Sequence, residues 1–324
     1  MCNIYIRILK EDDILFSYFC HVISKQITEL KKAKNAIILA HYYTLPDVQD
    51  IADFVGDSLA LAKHAASADA DIILFAGVHF MAETAKILSP QKKVLIPDIN
   101  AGCSLADSCP DEQLTSFLKD YPDHTVISYI NCSAKVKTLS DIIVTSGNAL
   151  KIVGALPTNE KIVFTPDRNL GSYINKATGR EMVLWNGACH VHDQLTADEV
   201  YKLKIRYPNA KVLAHPECKA TLLALADFIG STAAMLNYAR NENASVYIVA
   251  TETGILYEMA KQNPEKEFHV VNNPETCACN DCEYMKLNTL EKIYHALLAE
   301  SPEIILEEEI MAKAFPPIQR MMEV

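Results

Sequence analysis

The sequence predicts an α/β protein made of three similar three-layer units related by pseudo-threefold symmetry, and three observations carry that prediction. Short apolar, β-rich runs alternate with helix-period segments, the grammar of parallel βαβ units. Polar strand ends recur at His41, Tyr129 and His215, 88 and 86 positions apart. Cys103, Cys189 and Cys282 recur at similar intervals of 86 and 93. A period near 87 is too long for a solenoid repeat and suits a small α/β domain. The expected units are residues 1–107, with the C-terminal segment 300–324 packing on them, then 108–193 and 194–299.

Along the chain, residues 14–34 carry helix-period apolar spacing (Ile14, Leu15, Tyr18, Phe19, Val22, Ile23, Ile27) and end in Lys31, Lys32 and Lys34. AIILAHYY (36–43) reads as a strand, VQDIADFVGDSLALAKHAA as a helical segment opened by Pro46, and DIILFAGV (71–78) as the next buried strand. HFMAETAKIL (79–88) is a helix and KVLIPDI (93–99) a third strand. The second round has strands TVISYIN (125–131), DIIVTSG (141–147) and KIVFTPD (161–167), with ALKIVGAL as a helix between the last two. The third has strands KVLAHPE (211–217), ASVYIVAT (244–251) and EFHVV (267–271), with ATLLALADFI, STAAMLNYARNE and GILYEMAKQ as helices.

A chain of 324 residues, 50% hydrophobic and 22% charged, can bury a sizeable core and divide into two or three domains. Its net charge of −11 argues against nucleic acid or an anionic membrane surface as the main partner. The expected partner is a small molecule. Ten cysteines are too sparse for a secreted disulfide scaffold, and Arg7, Lys10, Glu11, Asp12 and Asp13 interrupt the apolar residues a signal peptide needs. A reducing cytoplasm is therefore expected. No apolar run approaches the roughly 18 residues of a membrane-spanning helix.

Cys277, Cys279 and Cys282 form a C-x-C-x-x-C cluster, which by itself suggests zinc or iron–sulfur but lacks the second C-x-x-C of a closed zinc site. The repeat aligns that cluster with Cys103 and Cys189: Cys277, Cys279 and Cys282 lie 88, 90 and 93 positions after Cys189. One of the three, expected to be Cys282, joins them, leaving Cys277 and Cys279 as bystanders or a redox-active pair. Three units around an axis would bring three loop cysteines to the centre. Three thiolates leave one iron of a four-iron cluster without a protein ligand, open to water or substrate, where it acts as a Lewis acid. A three-cysteine zinc site and plain reduced structural cysteines are the alternatives.

Ligands of α/β proteins bind at the carboxyl ends of strands, where His41, Tyr43, Tyr129, Asn131, His215 and Glu217 fall. His215 and Glu217 form an acid/base-capable pair. Ser58, Ser146 and Ser231 with Thr232 precede helices, either as N-caps or, with helix N-terminal amides, as a cradle for a phosphate or carboxylate.

The segments AHYYTLPDVQDIADFVGDS (40–58), GVHFMAETAKILSP (77–90), PDINAGCSLAD (97–107), SYINCSAKVK (128–137), TSGNA (145–149), GACHVH (187–192), LAHPEC (213–218), GSTAAM (230–235) and CEYMKLNTLEK (282–292) closely resemble the quinolinate synthase family. The resemblance runs from about residue 25 to the C-terminus. It implies three α/β domains around an oxygen-sensitive 4Fe–4S cluster and condensation of iminoaspartate with dihydroxyacetone phosphate to quinolinate, releasing phosphate and two waters. Carried over by position, it implies Cys103, Cys189 and Cys282 as cluster ligands. The implied pocket residues are His41, Tyr43, Ser58, Tyr129, Asn131, Ser146, His192, His215, Glu217 and Thr232, of which Glu217, Tyr43, His215 and Tyr129 are the catalytic candidates. It also implies a supply of iminoaspartate from an aspartate oxidase or dehydrogenase, and a monomer or homodimer. Gly147, Asn186 and Cys132 depart from the family pattern; Cys132, beside Asn131, is expected to be an oxidation-sensitive pocket thiol. A different cluster-dependent hydro-lyase and a non-catalytic iron–sulfur sensor are the rival functions.

Overall fold

The computed structural model describes residues 11–272 and 280–323, with side chains from residue 21 onward. Cys277 and Cys279 lie outside the described residues. Among the described residues, twelve strands form three four-stranded sheets with one shared topology. The first contains β1 (Ala36–His41), β2 (Phe54–Gly56), β3 (Ile72–Ala76) and β4 (Lys93–Leu95), in the order β2-β1-β3-β4. The second has β5 (Thr125–Tyr129), β6 (Ile142–Val144), β7 (Ile162–Thr165) and β8 (Val183–Leu184), in the order β6-β5-β7-β8. The third has β9 (Lys211–Ala214), β10 (Phe228–Ile229), β11 (Val246–Ala250) and β12 (Glu267–Val270), in the order β10-β9-β11-β12. Every strand pair within these sheets is parallel.

Parallel sheets must be covered on both faces, and the alternation along these strands shows how. In the first sheet Ile38, Ala40, Ile72, Leu74 and Ala76 point outward, onto Ile23 and Ile27 of the helix Glu11–Ala33 and Ile293 and Leu297 of the helix Leu290–Ala299. Leu39, Ile73 and Phe75 point the other way, into a central cluster joined by Ile127 and Phe164 of the second sheet and Leu213, Tyr247 and Val249 of the third. The three inner faces thus share one core, and their strand ends converge beside it.

A carboxylate closes the same corner of each sheet. Asp53, Asp141 and Asp227, 88 and 86 positions apart, each accept a hydrogen bond from the backbone N–H fifteen residues earlier, on Ile38, Val126 and Val212, at 2.7, 2.8 and 2.8 Å. The backbone N–H of each aspartate returns a bond to the carbonyl of the same residue.

Two segments differ from the expected elements. The stretch after Pro46 is a helix Pro46–Ile51, then β2, then a helix Ser58–Ser67; ATLLALADFI is a single turn, Ala220–Leu223, followed by β10. Strands of two or three residues show no alternation, and pairing with β1 and β9 overrides the helix propensity of the alanines and leucines around them.

The C-terminal segment ties units together. Ile304 donates to the carbonyl of Val94 and Ile96 to that of Pro302. The helix Glu308–Met322 then packs on β6 and on the helices Ala134–Lys137 and His79–Leu88.

Candidate active site

All thirteen residues expected at the site line a single cavity at the convergence of the three sheets. From the strand ends come His41, the last residue of β1, with Tyr43; Tyr129, the last residue of β5, with Asn131; and His215 and Glu217 after β9. The third unit approaches the first closely enough to demand glycine: a Cβ on Gly254 would sit 2.7 Å from the Cα of Tyr43.

A hydrogen-bonded chain crosses the floor of the cavity. Tyr43 Oη lies 2.7 Å from Thr251 Oγ1, Thr251 Oγ1 2.9 Å from His192 Nε2, and His192 Nδ1 2.8 Å from Glu217 Oε2. A carboxylate beside Nδ1 places the imidazole proton there, so Nε2 accepts from Thr251 and the threonine oxygen accepts from Tyr43. The chain therefore has one direction, phenol to carboxylate. Tyr129 donates its hydroxyl to Glu217 Oε1 at 2.5 Å. His215 stacks on His192 with ring centroids 4.7 Å apart, and its Nε2 lies 3.2 Å from Ser146 Oγ.

Electrostatics set the protonation states. Burial, with His215 and Lys286 near one and His192 near the other, pushes His41 and His215 down to about 3, so both are neutral imidazoles at neutral pH. Burial alone would raise Glu217, but the hydrogen bonds it accepts from His192 Nδ1–H and the Tyr129 hydroxyl outweigh it and keep this group a carboxylate. Burial pushes Tyr43 and Tyr129 well above the ordinary phenol value, so both stay protonated. Asp167 rises to about 7, through burial first and the Glu217 charge second.

The hydroxyls divide between capping and the cavity. Asp57 caps the helix Ser58–Ser67 and Ser231 caps the helix Thr232–Asn241 through their side chains. Ser58 and Thr232 are thus the first helical residues and present hydroxyls to the cavity beside free N-terminal amides. Asn131 Oδ1 is buried without a partner and is available to a ligand. Cys132 corrects an expectation. It is fully buried against Cys109, Leu114 and Val136 in an apolar cluster and does not line the cavity.

Cys103, Cys189 and Cys282 meet here from three loops, each immediately before a short helix. Burial pushes Cys103 up to about 12, Cys282 to about 11 and Cys189 well above the ordinary thiol value, and the thiols oppose one another's ionisation. Such a trio becomes thiolate only around a cation. Three soft sulfurs from separate loops fit an iron–sulfur cluster with three protein ligands. A second metal-capable group, Cys189, His192 and Glu217, has its donor atoms within 4.8 Å of one another. There, however, both nitrogens of His192 are already engaged, and one would have to give up its partner.

Four polar groups of the site escaped the sequence reading: Thr251, Asp167, Glu252 and Lys286. Glu252 is fully buried and pairs with Lys286 at 2.8 Å. Asp167 and Glu252 each stand two residues past the third strand of their sheet, 85 positions apart, and that recurrence was the available signal.

A profile described as Quinolinate synthetase A protein matches residues 25–323. The chain is 57% identical to the quinolinate synthase of Synechocystis sp., over 91% of this chain and 93% of that protein. It is 56% identical to the quinolinate synthase of Microcystis aeruginosa and 55% to that of Thermosynechococcus vestitus, each over 92% of this chain and 93% of the relative.

Proposed function

The chain belongs to the quinolinate synthetase A family and is a quinolinate-forming enzyme; we propose that it joins iminoaspartate to dihydroxyacetone phosphate in the cavity where the three sheets converge. The balance is one quinolinate, one phosphate and two waters for each pair of substrates. The observation that carries the reading is the meeting of three thiols from three loops with the Tyr43–Thr251–His192–Glu217 chain in one buried space. A 4Fe–4S cluster held by Cys103, Cys189 and Cys282 supplies, when bound, an iron with an open position, a Lewis acid for expelling water.

The protein's own groups do the rest. Carbon–carbon bond formation and two dehydrations move protons on and off the carbon skeleton, and the Tyr43-to-Glu217 chain is oriented to move them. Glu217, held as carboxylate, is the final acceptor: as the Tyr43 oxygen takes a proton from the substrate, its own O–H proton passes to Thr251, the threonine proton to His192 Nε2, and the Nδ1 proton to Glu217. Neutral His41 and His215 donate to carbonyl or carboxylate oxygens without adding charge. Tyr129 and Asn131 orient the dicarboxylate, and Ser58, Ser146 and Thr232 with helix N-terminal amides hold the phosphate and later a product carboxylate. Burial of the site keeps bulk water from a hydrolysable imine. The substrates are small molecules, and among the described residues no helix is long and apolar enough to cross a membrane.

The test is turnover by protein purified and reconstituted without oxygen. Quinolinate should form from iminoaspartate only when dihydroxyacetone phosphate is present. A different cluster-dependent hydro-lyase would ignore the triose phosphate, and that result overturns the reading.

A further inference from the structure

Two buried acids outside the proton chain occupy matching places in the second and third units. Asp167 follows β7 and Glu252 follows β11, each by two residues, and both are fully buried. Each accepts a hydrogen bond from the backbone N–H of a site cysteine: Asp167 Oδ2 from Cys189 at 3.1 Å, and Glu252 Oε1 from Cys282 at 3.1 Å. The second oxygen of each is anchored too. Asp167 Oδ1 accepts from Leu170 at 2.7 Å, capping the helix Arg168–Thr178, and Glu252 Oε2 accepts from Gly254 at 2.7 Å. Each carboxylate thus bridges the end of a central strand to a cysteine loop entering from elsewhere in the chain, 22 residues on in one case and 30 in the other. In the first unit the residue two past β3 is Val78, whose side chain accepts nothing.

From this pattern we infer that Asp167 and Glu252 are positioning residues that lock the Cys189 and Cys282 loops in their cavity-facing conformation, while the Cys103 loop has no such lock among the described residues. A carboxyl group suits the task because its two oxygens fix two amides at once. The two locks differ in charge. Glu252 is neutralised by Lys286, whose Nζ also donates to the carbonyl of Tyr43 at 2.8 Å and so ties this lock to the first unit. The significance for a cluster rests on the proposed role of the three cysteines; the locks themselves belong to the protein without it.

The test resolves the cysteines one by one. Metal-free full-length protein is alkylated with iodoacetamide without oxygen, and the rate at each cysteine is followed by peptide mass. Asp167→Asn and Glu252→Gln keep the volume but leave one oxygen where two amides need acceptors. Asp167→Asn should speed modification of Cys189 about tenfold, the factor set by one lost hydrogen bond, with Cys103 and Cys282 unchanged. Glu252→Gln should do the same for Cys282 alone. Asp227→Ala, which removes a backbone clamp bearing on no cysteine, should change none of the three. After anaerobic reconstitution the first two variants should also release iron to a chelator faster than wild type, and Asp227→Ala should not. Wild-type alkylation rates in both acid variants, or a uniform rise at all three cysteines, overturns the inference. Should a variant fail to fold, hydrogen exchange in wild type decides: the amides of Cys189 and Cys282 should exchange about tenfold more slowly than that of Cys103, and equal rates overturn it. If wild type takes up no iron, the cluster reading fails, while the alkylation and exchange results still judge the locks.

Discussion

The two ends of each sheet were built under different demands. At one corner Asp53, Asp141 and Asp227 repeat the same clamp in all three units, with acceptor distances of 2.7 to 2.8 Å. At the carboxyl ends the equivalent positions have diverged. His41, Tyr129 and His215 are followed two residues later by Tyr43, Asn131 and Glu217, and the residue two past the third strand is Val78, Asp167 or Glu252. The clamp side needs the same solution three times because each sheet must pin the same short second strand. The cavity side faces one asymmetric ligand, so three identical walls would serve it badly. Substitutions at the two ends should therefore separate stability from chemistry.

The largest effect belongs to the cavity side. Cys103→Ala removes one of three thiols, and after anaerobic reconstitution it should hold less than a full four-iron complement and lose turnover; a full complement with wild-type rate would sink the ligand assignment. Next comes Glu217→Gln, which removes the acceptor at the end of the proton chain. Turnover should fall by about 10² to 10⁴, the range for a general acid or base, with the melting temperature close to wild type. Tyr43→Phe, at the other end, should fall toward the lower limit. The contrast breaks if either variant loses stability in proportion to activity. On the clamp side, Asp141→Ala leaves the Val126 amide short of a charged acceptor and should cost about 1 to 3 kcal/mol in denaturant unfolding, with kcat unchanged in the folded enzyme.

The same contrast explains what the sequence disclosed. The three units were legible because one period was written twice, in polar strand ends and in cysteines, and runs such as IILFA and VYIVA are long enough to read as strands. β2, β8 and β10, of two or three residues, carry no pattern of their own; the sheet that pairs them makes them strands. The cavity residues were legible where they ended a strand or preceded a helix, and Ser58, Ser146 and Thr232, which recur before helices, line the same cavity. Thr251 and Glu252 were passed over because the first looked like the last residue of a strand and the second like a loop acid. What makes them part of the site is contact with Tyr43, His192 and Cys282 from distant segments, which no local pattern contains.

The smallest effect sharpens the clamp side at the amino ends of the first sheet. Glu300 holds a left-handed backbone conformation, φ 52°, and reaches Lys34, just before β1, at 2.6 Å and Lys93, the first residue of β4. Hydrogen bonds from Lys34 and Lys93 lower its carboxyl from 4.5 to about 2. A group whose folded pKa is depressed adds stability above its ordinary value and loses that contribution as the pH falls through the folded value. Glu300→Gln should therefore melt slightly below wild type near neutral pH, and the gap should close between about pH 4.5 and 2. Both partners are solvent-accessible, so added salt should shrink the gap as well. Turnover should not change, since this end of the sheet faces away from the cavity. A gap that persists at pH 2, or a change in kcat, would mean that the C-terminal segment reaches the chemistry, and that the two ends of the sheet are not independent.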